Sequence, residues 1–367
     1  MQVQRLQRVN WVRVGNWLII SLLTVGIIMD LAASYIGQLG TGNSVAGLVS
    51  HELLWVVVGG LVFFFFRAID FKRVIQLSPL LLLGAMGLLV LVLIPGVGVS
   101  VGGASRWFQA GFIQVQPSEV IKLALVLFFA RLVTKRTQTT VIAPVLLLTI
   151  ICAGLVLIEP DMGTAIIVFT IGMASLFVAQ VPLRKLALLG VLGIGLGVGA
   201  AFSSAYRRLR LLSFLNPWRY RLDFAYQEVQ ALNAFASGKV VGTGLGNGLA
   251  NWGYLPNAQT DFILAVIGQD LGLVGALMVV LALASLIWLI FRLSMEVNGE
   301  GEKIFLFLFG TWILVQTFLN VGAVIGLLPV TGVPLPLVSA GGSSTVATLA
   351  GFGVVSGIAR KAGIGRG

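Results

Sequence analysis

Charged side chains are scarce in this chain of 367 residues: Lys, Arg, Asp and Glu make up 10% of it, against about 25% in a soluble domain. With 58% hydrophobic residues and a mean hydropathy of +1.02, the chain cannot cover a water-facing surface with polar groups. It belongs in lipid. Cysteine occurs once, as Cys152 inside an apolar run, which excludes an intrachain disulfide framework and a thiolate metal site. Histidine also occurs once, at His51, which excludes a multi-histidine zinc centre and any mechanism built on two imidazoles. The 24 basic residues outnumber the 13 acidic ones, giving a formal net charge of +11. They are scattered among short loops, a pattern that reports membrane topology and argues against a nucleic-acid partner.

What is abundant is long apolar sequence. A spanning helix needs about 20 mostly apolar residues, and ten stretches meet or approach that measure: 17–36, 53–66, 77–94, 118–133, 141–158, 163–181, 186–202, 262–291, 304–325 and 342–358. These predict an all-α polytopic membrane protein, one integral domain over 1–367. The first stretch follows Arg5, Arg8 and Arg13 but is too long for a signal peptide, so it reads as an uncleaved anchor. With the amino terminus in the cytoplasm, 16 of the 24 Lys and Arg fall on the cytoplasmic side. Loops 37–52, 159–162 and 326–341, on the other side, carry none. Both termini are therefore expected inside.

The exceptions lie outside. They are Arg106 and then Arg207, Arg208, Arg210, Arg219, Arg221 and Lys239, the last six in one long external loop over 203–261 between the seventh and eighth spans. Loops beyond about 12–15 residues are commonly functional. Residues 206–222 interleave arginines with Leu211, Leu212, Phe214, Leu215, Trp218 and Tyr220, as suits a segment in the headgroup layer. Phe224, Val229, Leu232 and Phe235 then follow at roughly helical spacing. The glycine-rich run Ser237–Gly248 resembles a phosphate loop, but the Walker spacing needs glycine where Asn233 stands. Late in the chain, Pro329, Gly332, Pro334 and Pro336 precede Ser339–Ser344, uncharged irregular backbone that membrane depth tolerates only inside protein or along a cavity.

Few ionisable groups remain for the spans and their edges. Asp261 closes the polar stretch Leu255-Pro256-Asn257-Ala258-Gln259-Thr260 and opens the eighth apolar run, with Thr260 placed to cap the following helix. A carboxylate at that lip loses water at a cost unless it has partners or a task. Glu119 and Lys122 stand three residues apart, on one helical face, after a start at Gln116-Pro117-Ser118. They serve either as a neutralised structural pair or as one lining a cavity shared with Asp261. Glu159-Pro160-Asp161 makes a short external turn whose carboxylates suit solvent or a cap at Thr164. Asp270 is expected to pair with a polar neighbour, and Asp30 and His51 to be structural. One carboxylate as base beside arginines able to grip phosphate is equipment for moving a group off a lipid phosphate.

These residues carry a resemblance. Gly103-Ala104-Ser105-Arg106-Trp107, Gln114-Val115-Gln116-Pro117-Ser118-Glu119 with Lys122, and Glu159-Pro160-Asp161-Met162-Gly163-Thr164 come first. Arg208-Leu209-Arg210 before Phe214 and Pro217, Leu255-Pro256 with Thr260-Asp261-Phe262, and Gly332-Val333-Pro334-Leu335-Pro336 through Ser343 follow in order. Together the sequence resembles the SEDS family (shape, elongation, division and sporulation), with the short amino-terminal tail favouring its RodA-like elongation branch over the FtsW-like division branch. Asn257-Ala258-Gln259 and Asp270 depart from the Glu-containing versions.

The resemblance implies a peptidoglycan glycosyltransferase of the bacterial cytoplasmic membrane. It would polymerise lipid II into glycan strands on the outer face, beside a class B penicillin-binding protein. Asp261 is then the expected general base. Arg106, Lys122, Arg208 and Arg210 would offset charge on the departing undecaprenyl pyrophosphate, Glu119 and Asp161 would support them, and Trp107, Gln116, Lys239 and Ser343 complete the expected substrate contacts. No metal ligand set is expected, with a divalent cation (Mg or Mn) as an optional helper. A flippase of the lipid-linked precursor is the alternative, and a non-catalytic scaffold that activates a synthase is the third reading.

Overall fold

The computed structural model describes residues 11–39, 45–101, 104–111, 113–203 and 205–363. Seven helices are α1 (Trp11–Leu39), α2 (Val45–Ala68), α3 (Phe71–Val92), α4 (Pro117–Lys135), α5 (Gln138–Ile158), α6 (Met162–Val178) and α7 (Leu183–Phe202). After α8 (Ala205–Leu215) and α9 (Tyr226–Gly238) come α10 (Ile263–Asp270), α11 (Gly272–Glu296), α12 (Glu300–Val324) and α13 (Gly342–Lys361). Among the described residues, seven of these are long and apolar enough to cross a membrane: α1, α3, α5, α7, α11, α12 and α13. The remaining apolar stretches form α2, α4 and α6.

Local chemistry sets the ends. Asp70 accepts from the Lys72 N–H at 3.1 Å at the start of α3, and Asp161 accepts from the Thr164 N–H at 2.9 Å at the start of α6. Pro117 opens α4, where its missing N–H costs nothing. The centre of the molecule is α4 and α12, packed on each other and on α6, with α3 beside α4 and α2 running along α13. A Cβ on Gly353 would come within 2.4 Å of the Phe63 carbonyl, so bare backbone is what lets α13 approach α2. At the edge, α7 buries only Leu186 and Ala201, and its other side chains are exposed or partly covered.

The structure corrects two expectations. The chain is not all-α. Between α3 and α4 it forms a small antiparallel sheet, β1 (Val99–Val101), β2 (Ala104–Ala110) and β3 (Ile113–Val115), ordered β1-β2-β3. Short β-branched and aromatic runs broken by glycine suit hairpins, and each is too short to register as a periodic pattern. The eighth span, expected as one helix over 262–291, breaks at Leu271–Gly272 into α10 and α11. Gly272 has φ +73°, and a Cβ there would meet the Val240 carbonyl at 2.3 Å. The glycine-rich loop packs into that notch: the N–H groups of Thr243 and Gly244 donate to the carbonyls of Gln269 and Asp270.

The expected external loop holds α8, α9 and a 3-10 turn at Leu249–Trp252. The helical spacing of Phe224, Val229, Leu232 and Phe235 corresponds to α9, although Phe224 lies just before it.

Candidate active site

Asp261 lies in the turn before α10, half-buried at the lip where the sequence places it. Thr260 does not cap α10, as was expected. Its hydroxyl turns back to the Asn257 carbonyl at 3.4 Å, and its own carbonyl is held by Ser339 Oγ at 2.5 Å. The loop 257–262 is fixed by the Pro/Gly segment: the Ala340 N–H donates to the Gln259 carbonyl at 2.9 Å. Asn320 Nδ2 donates to the Asp261 carbonyl at 2.8 Å. A Cβ on Gly332 would stand 3.7 Å from Asp261 Oδ2, so this backbone passes directly beside the carboxylate.

Three other charged groups act on that carboxyl. Burial raises its pKa to about 6; Arg210 opposes the rise, the Asp161 charge adds to it, and Arg106 opposes it. Asp261, Arg210, Asp161 and Arg106 come from four separate elements: the α10 turn, α8, the α5–α6 turn and β2. Arg106 is anchored by its backbone partners, donating from Nε and Nη2 to the carbonyls of Glu159 and Pro160 at 2.6 Å each. Asp161 takes the α6 N–H of Thr164 on one oxygen and Gln116 Nε2 on the other at 3.3 Å. The cap expected at Thr164 is therefore present, with a contact into the site added. Burial raises the Asp161 pKa, while Arg106 and Thr164 oppose it. Glu159, with both oxygens buried and without hydrogen-bond partners, is pushed up to about 8, by burial first and then by Asp161.

The Glu119–Lys122 pair lies fully inside the helices, Nζ to Oε1 at 2.8 Å, with relative exposures of 1% and 0%. Lys122 also donates to Gln316 Oε1 at 2.9 Å and sits 5.2 Å from the Trp312 ring centroid. Held inside the helices by these partners, it suits a structural and electrostatic part better than contact with a phosphate. Glu119 Oε2 remains without a partner. Ser343 accepts from the Gln116 N–H at 3.2 Å, tying the start of α13 to the start of α4. Trp107 is half-buried on β2.

Two candidates stand apart. Arg208 is exposed on α8. Lys239 is exposed and sits at the far end of α10 from Asp261, its carbonyl accepting from the Leu273 N–H at 2.9 Å. Asp270 pairs with the loop, accepting from the Gly246 N–H at 2.8 Å and from Asn251 Nδ2 at 2.9 Å. An apolar slot between α1, α11 and α13, lined by Gly15, Asn16 and Leu289 among others, belongs to a different part of the bundle. It is some 15 residues back along α1 from Ser34, which bonds Gln259 beside the site at 2.9 Å.

Sequence reading missed Trp312, Gln316 and Asn320. The signal was there: two amides four residues apart in an otherwise apolar run.

A family model covering FtsW, RodA and SpoVE, described as "Cell cycle protein", matches residues 14–363. The probable peptidoglycan glycosyltransferase FtsW of Mycobacterium tuberculosis is 37% identical over 347 residues, 92% of this chain and 66% of its own length. The chain thus spans just under two thirds of that relative. Stage V sporulation protein E of Bacillus subtilis is 32% identical over 347 residues, 92% of this chain and 94% of its own. Among solved structures, a chain of a peptidoglycan synthase complex that coordinates polymerization and crosslinking has a TM-score of 0.78. It is 29% identical, covering 95% of this chain and 97% of that one. Rod shape determining protein RodA of Thermus thermophilus has a TM-score of 0.69 at 26% identity, covering 95% and 96%. With nearly the whole length matched by one family model, this chain belongs to the SEDS family, the group of FtsW, RodA and SpoVE.

Proposed function

We propose that the chain is a peptidoglycan glycosyltransferase that polymerises lipid II on the outer face of the bacterial cytoplasmic membrane. It would cross that membrane ten times with both termini inside. The observation that carries the reading is the half-buried Asp261 carboxylate, raised towards neutrality and flanked by Arg210 and Arg106. The names of the curated relatives support the same activity. Asp261 takes the proton from the sugar 4-hydroxyl as that oxygen attacks the anomeric carbon of a second lipid-linked sugar. Undecaprenyl pyrophosphate leaves, its growing charge met by Arg106 and Arg210. One displacement with inversion needs no second carboxylate as nucleophile. A divalent cation would have to be held mainly by pyrophosphate oxygens and water. Both Asp161 oxygens already accept, from Thr164 and Gln116, and no cluster of three metal-ligating side chains occurs among the described residues.

A cross-linking partner of the penicillin-binding type is part of the proposal, supported by the synthase complex that this chain resembles. Within the family we assign elongation and shape, which the likeness to RodA supports; the FtsW-named relatives point towards division. Complementation of strains lacking one or the other activity decides between them. The central test is Asp261→Asn in the folded full chain, assayed with purified lipid II and the partner. Loss of about 10²–10⁴ in polymerisation rate is expected for a missing general base. An undiminished rate rejects the assignment, and lipid II flipping without polymer formation would install the flippase reading.

A further inference from the structure

The Pro/Gly segment is held from below by two amides. Gln316 and Asn320 lie one turn apart on α12, with exposures of 0% and 2%. They bond consecutive carbonyls of the segment: Asn320 Nδ2 to Val333 at 2.8 Å, and Gln316 Nε2 to Pro334 at 3.0 Å. Each amide has a second attachment, and both of these reach the candidate site. The same Asn320 Nδ2 donates to the Asp261 carbonyl at 2.8 Å. Gln316 Oε1 accepts from Lys122 Nζ at 2.9 Å and Trp312 Nε1 at 2.7 Å.

We infer that Asn320 is the positioning residue for Asp261. This rests on the reading of Asp261 as general base. The amide group is placed for its donors: both Nδ2 bonds go to main-chain carbonyls, while buried Asn320 Oδ1 has no partner. Packing alone would favour leucine at such a site, since an orphaned buried oxygen carries a desolvation cost. The loop does not need Asn320 to exist, because Ser339 Oγ and the Ala340 N–H hold the carbonyls of Thr260 and Gln259. What Asn320 adds is the tie at the residue that carries the carboxylate. Gln316, one turn away, ties the next carbonyl of the same segment to the buried Lys122 and Trp312 side chains.

The test compares Asn320→Leu and Asn320→Ser with the unaltered full chain in nanodiscs, with its partner and purified lipid II. Turnover, KM, the pH–rate profile and the unfolding temperature are measured. Asn320→Leu is expected to lower kcat by roughly tenfold to 100-fold, the scale of a 1 Å misplacement, with KM unchanged. Its acid limb should move to lower pH as the released carboxyl gains water. Asn320→Ser, which keeps one donor, should fall between and supplies the reading if the leucine variant does not fold. A rise in KM at unchanged kcat, or a fall in kcat with an unmoved acid limb, overturns the inference. If Asp261→Asn retains full polymerisation, the base reading fails first, which is a separate result.

Discussion

At the residue scale, the carboxyl at Asp261 is the group whose behaviour is most exposed to test. Its raised pKa of about 6 means that a base role is lost as pH falls through that value, so the rate should show an acid limb near pH 6. The Asp161 charge contributes to the rise, and Asp161→Asn keeps a good N-cap for α6 while removing that charge. The expected result is an acid limb at lower pH with little loss of stability, read from a pH–rate series and a thermal melt. An unmoved limb would show that the two carboxylates do not sense each other. The Glu119–Lys122 pair makes a different prediction. Both side chains are fully buried, so Lys122→Met leaves an uncompensated carboxylate and should cost about 3–5 kcal/mol. Adding Glu119→Gln should recover part of that in a melt; additive losses would contradict pairing as the dominant effect.

Element by element, the eighth apolar run is where physical context overrides pattern. Residues 262–291 read as one continuous helix because their composition is uniformly apolar, and composition carries no information about a docking loop. The break is made by Gly272 at φ +73°, with the Val240 carbonyl filling the space where a side chain would start. Gly272→Ala must therefore both adopt a disfavoured backbone and push out the 239–248 loop. The expected effect is a lower unfolding temperature and faster proteolysis at the exposed Val240–Val241 bond. An unchanged melt would mean that α10 and α11 can fuse without cost. By contrast, α4 was legible from its residues. Pro117 at the first turn and Glu119 three residues before Lys122 specify where the helix starts and which face carries the pair. Local chemistry of that kind survives folding.

For the whole molecule, the placement of Lys and Arg is the main topological argument, and Cys152 makes it testable. That thiol is buried and is the single cysteine of the chain. An introduced cysteine should thus report alone to a membrane-impermeant maleimide. Thr243→Cys, exposed in the long loop, should label in intact cells, and Glu300→Cys, exposed at the start of α12, should label only after lysis. Both labelling from the same side would remove the proposed ten-span topology. The long loop also sets what reaches the site: of its basic residues, Arg210 acts on Asp261, while Arg208 and Lys239 face outward. Those two remain available to headgroups or a partner.

The sequence by itself determined the solvent of this protein, the helical stretches and the identities of the scarce ionisable groups. Each of these follows from composition and from neighbours a few residues apart. Only the tertiary structure decided which of those groups meet. Asp261 and Asp161 are separated by 100 positions in the chain, and Asn320 reaches the Asp261 carbonyl across 59. Contacts over such distances depend on how helices pack in three dimensions, and no local pattern encodes them. The amides on α12 illustrate the limit: two polar residues in an apolar helix signal a task, and only the fold shows what they hold.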